Sequence, residues 1–187
     1  MSLADEPGVE LANRNGRLHP TQRGKVLDGN FWVPALLVVA GIASLVYLPI
    51  KAVADAKEAS SIHNEFPSAS VGGTTGTVLP TLGLMVPIAA LVAWFAFVCW
   101  RRLSEVRDGR LVEITGWTHD FGRNRPTGQY PIELHTAFHR GRQYYLTANR
   151  RTYVLTDRKL RERIQAERNN TVFLTPRTRL LINVLPG

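Results

Sequence analysis

Two charge-free stretches decide how this chain is read: Phe31–Ile50, FWVPALLVVAGIASLVYLPI, and Val78–Trp100, VLPTLGLMVPIAALVAWFAFVCW. About 20 apolar residues in a helix cross roughly 30 Å of hydrocarbon. Neither stretch contains Asp, Glu, Lys, Arg or His. Both are longer than the apolar runs of a soluble core helix, so each reads as a transmembrane helix. Phe31, Trp32 and Tyr47 in the first, and Trp94 and Trp100 in the second, suit the headgroup region. The first run follows thirty residues of mixed charge and ends without a small-residue cleavage pattern. It therefore reads as a span, not a signal peptide.

The rest of the chain divides around these runs. Residues 1–30 form a polar N-terminal tail, 31–50 the first span, 51–77 a loop, 78–100 the second span and 101–187 a basic domain. Lys and Arg near the span ends set orientation. Arg14, Arg17, Arg23 and Lys25 precede the first span, and Arg101, Arg102, Arg107 and Arg110 follow the second. The loop holds only Lys51 and Lys57. Both termini are expected to be cytoplasmic and the loop extracytoplasmic.

Transport paths and proton relays usually need an ionisable side chain at membrane depth. Its absence makes the spans read as an anchor rather than a pathway. Small residues recur at helical spacing, Ala40 with Ser44 and Ala89 with Ala93, and such pairs let helices approach closely. They suit either the packing of the two spans as a hairpin or the docking of a partner's helix. Pro87, inside the second run, predicts a kink.

The tail is rich in Gly, Asn and charge and is expected to be irregular, with its basic stretch at 14–25 able to sit on anionic lipid. In the loop, residues 51–62 suit a helical extension of the first span, while 67–77 are small and flexible. Cys99 is the single cysteine, so no intramolecular disulfide forms. It reads as a small lipid- or helix-facing residue, with palmitoylation as the alternative.

Residues 101–187 carry seventeen Lys/Arg against eight Asp/Glu, a net +9. A domain of this size buries only a small core. Strands are expected at 111–118 (with a bulge at Gly116), 132–136, 144–147 and 153–155, and a closing hairpin of 171–174 and 179–184 turns around Pro176. His139–Arg142 reads as a turn. One helix is expected over Asp157–Arg168, capped by Thr156 or Asp157, with Leu160 and Ile164 as its apolar stripe. The fold class is thus membrane α+β: a two-helix transmembrane hairpin followed by a small β-rich cytoplasmic domain, a partly open SH3-like or OB-like barrel with one short helix.

No nucleophile elbow, phosphate-binding loop or dinucleotide fingerprint occurs, and nothing marks the chain as an enzyme. His135 and His139 lie about 13 Å apart along a strand, too far to share one ion. His119 has no nearby Cys or metal-binding pattern, so neither a metal nor a cofactor is expected. Glu113, Asp120 and Glu133 are expected to pair with Arg.

The constellation above background is Arg interleaved with aromatics: Arg123, Arg125, Arg140, Arg142, Arg150 and Arg151 with Trp117, Tyr144 and Tyr145, and also Tyr130, Phe138 and Tyr153. Such a set serves protein docking, anionic lipid headgroups or, less well here, nucleic acid. A small core with a solvated basic surface is the plainer reading. The chain as a whole is expected to be a non-enzymatic membrane accessory subunit that anchors to and stabilises a larger complex of membrane proteins. The alternative is a membrane-tethered binder of nucleic acid or anionic lipid. A regulator acting through the loop is a third and weaker reading.

Overall fold

The structure is a computed structural model that describes residues 7–65, 74–138 and 142–187. The chain folds as two compact units. One comprises residues 28–101. The other joins the N-terminal segment, up to Leu27, to Arg102–Gly187.

The first unit is built on two long helices, α3 (Gly29–Glu65) and α4 (Thr74–Asp108), the latter running on into the second unit. α3 extends past Ile50 through the Ala-rich stretch, as its composition predicts. α4 begins before Val78 and ends after Trp100, so 74–77 are helical. The remainder of the expected flexible stretch, residues 67–73, lies outside the described residues. Both helices are long and apolar enough to cross a membrane, and no residue of either apolar window is buried within the molecule. Leu36 is 67% exposed and Val86 70%. The helices meet at Gly41, where a Cβ would collide with the Val92 side chain.

The second unit is built on an open six-stranded mixed sheet, curled into a half-barrel. Its strands are β1 (Val112–Asp120), β2 (Ile132–Phe138), β3 (Arg142–Ala148), β4 (Arg151–Val154), β5 (Arg168–Leu174) and β6 (Leu181–Pro186). They lie in the order β4-β3-β2-β1-β5-β6. β1 and β2 run parallel, with Thr118 opposite Ile132. All other neighbours are antiparallel. Parallel neighbours need a long connection, which residues 121–131 supply. The two-residue turn Asn149–Arg150 joins β3 to β4 with both φ angles positive, at 50° and 60°, the twist that a tight hairpin requires.

Gly116 does not form the expected bulge; its register with Asn170 is regular. A Cβ there would stand 2.7 Å from the Pro131 ring, so the glycine admits the returning β1–β2 loop. The irregularity falls instead at Phe173/Leu174.

Alternation places Ile132, Leu146, Val172 and Val184 on the concave face, with Leu155 and Leu160 closing over them. Leu160 comes from α5 (Arg158–Arg163), which is shorter than expected. Asp157 caps it as predicted, its carboxylate accepting from the Lys159 N–H at 3.0 Å. The helix stops early because Asn170 reaches back. Its amide donates to the Gln165 carbonyl (2.7 Å) and its Oδ1 accepts the Gln165 N–H (3.1 Å).

Residues 7–27, expected to be irregular when isolated, are ordered against the rest of this unit. They form α1 (Pro7–Arg14), a 3-10 turn (Pro20–Gln22) and the short α2 (Arg23–Val26). Leu18 and Val26 share a buried cluster with Val106 and Ile182. Asn13 and Gln22 exchange amide hydrogen bonds at 2.9 and 3.0 Å, and the Asn183 amide donates to Asn13 Oδ1 at 2.9 Å. Lys25 Nζ donates to the Ile182 carbonyl at 3.2 Å, and burial pushes its pKa down. Composition announces disorder, but long-range amide partners override it.

Candidate functional site

On β1, alternation turns Trp117 and His119 to the face opposite the core. There they meet Glu167, from the turn before β5. His119 Nδ1 lies 2.9 Å from Glu167 Oε1, which also accepts the Asp120 N–H at 3.0 Å. Trp117 Nε1 donates to Glu167 Oε2 at 3.3 Å. The Asp120 N–H, followed by the His119 contact, holds the Glu167 carboxyl below its ordinary pKa. Glu167 adopts a left-handed φ of 56°, a strained conformation for a side-chain-bearing residue. Its own N–H donates to the Thr118 carbonyl at 2.9 Å, which fixes that conformation.

Aromatic rings enclose the pair. The His119 ring stacks on Tyr130 at 4.6 Å and meets the edge of Phe121, also at 4.6 Å. Trp117 remains 44% exposed. The result is a charged, aromatic, solvent-facing patch of the composition that recurs at protein interfaces.

The Arg/aromatic set is divided between faces. Tyr145 stacks with His135 at 5.0 Å, on the same side of the sheet as Trp117. Tyr144 points to the concave side, where the Arg161 guanidinium lies 3.8 Å from its ring centre. Arg123, Arg125, Arg150 and Arg151 are exposed. The Gly122 carbonyl accepts the Thr136 N–H at 2.6 Å, so Arg123 follows from that part of β2, whereas Arg151 pairs with Ala148 beside Ile132. Loop residues Gly128–Pro131 and turn residues Asn149–Arg150 line one cavity there, of about 270 Å³. Arg142 opens β3 opposite Phe138. Arg140 and His139 lie outside the described residues.

Glu133 does not pair with Arg. It is 1% exposed, accepts the Tyr130 N–H at 3.3 Å through Oε1, and leaves Oε2 without a hydrogen-bond partner. Glu133 is buried, whereas Arg150, which lines the same cavity, is exposed to water, where hydration competes with an ion pair. Asp120 accepts the Gly122 N–H at 2.8 Å. Among the described residues no group of three or more His, Cys, Asp or Glu could hold a metal ion.

On the helices, Ala40, Ala89 and Ala93 are exposed and Ser44 is half-buried. The Ser44 hydroxyl donates to the Ala40 carbonyl at 2.9 Å. The helix–helix approach at Gly41 and Val92 therefore leaves these alanines open. Cys99 is half-buried.

Glu167, Arg161 and Phe121 are the site residues that sequence reasoning missed. Glu167 and Arg161 sat inside the expected helix 157–168, where they read as solvated charges. Comparison with protein-family models, curated proteins and solved structures finds no match for this chain.

Proposed function

We propose that this chain is a non-enzymatic integral membrane accessory subunit. Its helical hairpin anchors it, and its basic cytoplasmic domain docks on neighbouring membrane proteins. The observation that carries this reading is that no residue of either apolar window is buried within the molecule. Contiguous apolar surface on this scale demands a partner, and charge-free helices of this length are matched by lipid.

The shared core of the second unit supports the topology in this reading. Leu18 and Val26 precede α3, whereas Val106 and Ile182 follow the apolar part of α4. Segments that pack together lie on one side of a bilayer, which supports a hairpin that crosses twice with both flanking segments in one compartment. The concentration of Lys and Arg on those segments favours the cytoplasm as that compartment. Residues 101–187 contain no cysteine, one serine and one lysine, which favours docking over nucleophilic catalysis. The partner surfaces are the exposed small-residue positions Ala40, Ala89 and Ala93 in the bilayer and the Trp117–Tyr130 patch in water.

Extraction in mild detergent followed by native mass measurement tests this. A complex larger than the chain is expected, and a free monomer under several mild conditions contradicts it. The second reading, a binder of anionic lipid or nucleic acid, draws on the exposed Arg123, Arg125, Arg150 and Arg151. It requires the detergent-solubilised chain to bind anionic vesicles or single-stranded oligonucleotide with steep salt dependence.

A further inference from the structure

The concave side of the half-barrel is not fully filled. Between α5 and the β2–β3 arm lies a cavity of about 230 Å³. Leu134, Leu155 and Ile164 form an apolar wall, and Thr136, Tyr144 and Arg161 stand beside it. We propose that this cavity binds a small organic anion, with the Arg161 guanidinium taking its carboxylate or phosphate group and the apolar wall taking its body.

Three features support the assignment. First, Arg161 is half-buried and oriented before any ligand arrives, because its guanidinium lies over the Tyr144 ring at 3.8 Å. Stacking on an aromatic face restricts the side chain yet leaves the edge N–H donors of the planar fork free to grip an oxyanion.

Second, the nearby acids are engaged elsewhere. Glu162, the one carboxylate on α5, pairs with Arg158 at 2.7 Å. Asp157 caps the helix. Asp120 also lines the cavity, and its carboxylate accepts the Gly122 N–H at 2.8 Å. Among the described residues Arg161 makes no ion pair with a carboxylate. A half-buried guanidinium held by a ring and not by an acid is an incomplete anion site.

Third, the net +9 of residues 101–187 attracts anions to this domain. The volume sets the ligand's size. At about 30 Å³ per water the space holds roughly eight waters, so the ligand has a comparable number of non-hydrogen atoms. That fits an aryl or short-chain carboxylate or phosphate. This inference is independent of the anchoring role, since a subunit of either kind could carry such a pocket.

The test uses the full chain in detergent, with benzoate and phenyl phosphate as probes and benzamide and inorganic phosphate as controls. Affinity is measured by isothermal titration at low salt, for the wild type and for Arg161→Gln and Tyr144→Phe. The expected result is binding of at least one organic anion, at least tenfold tighter than either control. Arg161→Gln should weaken it at least tenfold, and Tyr144→Phe, which keeps the ring, should retain it. Equal binding of benzamide, undiminished binding by Arg161→Gln, or binding of neither probe at millimolar concentration would overturn the proposal.

Discussion

Asn13 and Asn183, 170 positions apart, are joined by a hydrogen bond of 2.9 Å between fully buried amides. This contact, with its Asn13–Gln22 extension, fastens the N-terminal segment to β6. Asn13→Ala leaves the Gln22 and Asn183 amides short of partners inside the protein. An unmet buried polar group costs about 1–3 kcal/mol. Denaturant unfolding of the detergent-solubilised chain should show a loss of that size, with Asn183→Ala similar and the double variant less than additive.

Glu105, in the last turns of α4, is 1% exposed and receives three hydrogen bonds from the β5–β6 turn. The Arg177 and Thr178 N–H groups donate at 2.6 and 2.5 Å, and the Thr178 hydroxyl at 2.5 Å. Gly109, with φ 61°, ends the helix by donating its N–H to the Glu105 carbonyl at 2.9 Å. Hydrogen bonds to a charged acceptor are worth about 1.5–3 kcal/mol each. Glu105→Ala is therefore expected to be the most destabilising single change in the second unit. Thr178→Val, which removes one donor, should cost less. Thermal unfolding of both variants checks the ranking.

Gly41 of α3 lies against the Val92 side chain of α4. Gly41→Val should separate the helices and lower the melting temperature in detergent. Adding Val92→Ala should restore part of the loss. An undisturbed melt for Gly41→Val would mean that the helices do not meet there.

His135 titrates below its ordinary value because burial opposes its charged form, while the Glu133 carboxylate pulls in the other direction. The unfolded chain therefore binds the proton more readily than the folded one. This residue's share of stability is fully present above the unfolded pKa of about 6.5 and is lost as pH falls from there through the lower folded value. Glu133→Gln removes the opposing charge and should depress the His135 pKa further, widening that window. Proton NMR of the imidazole ring measures it directly, and an upward shift would contradict the geometry.

The two long helices were legible because a run without charge has few other uses. The continuation of α3 past Ile50 was legible too, in the Ala-rich stretch 51–62. That of α4 was not, since residues 101–108 continue it where Val106 joins a buried cluster with Ile182 and Glu105 meets the β5–β6 turn. The Asp157 cap was legible as local chemistry. The early stop of α5 was not, since it depends on Asn170 returning from β5. Order in residues 7–27 escaped composition entirely, because its partners Ile182 and Asn183 lie at the far end of the chain. The parallel pairing of β1 with β2 likewise has no local signature. At the candidate site Trp117, Tyr144 and Tyr145 stood out as residue types. Their division between two faces, and the Glu167 that His119 and Trp117 share, emerged only from the strand register.

The central claim, that both apolar helices cross a membrane and both termini share one side, can be measured directly. Single cysteines at Ser2, Ser60 and Thr156, each in a Cys99→Ala background, are exposed to a membrane-impermeant thiol reagent in intact cells. The account predicts labelling at position 60 alone, with positions 2 and 156 reacting only after permeabilisation, and retention of the protein in the membrane after alkaline carbonate extraction. Labelling of position 2 or 156 in intact cells, or release of the protein by carbonate, would contradict it.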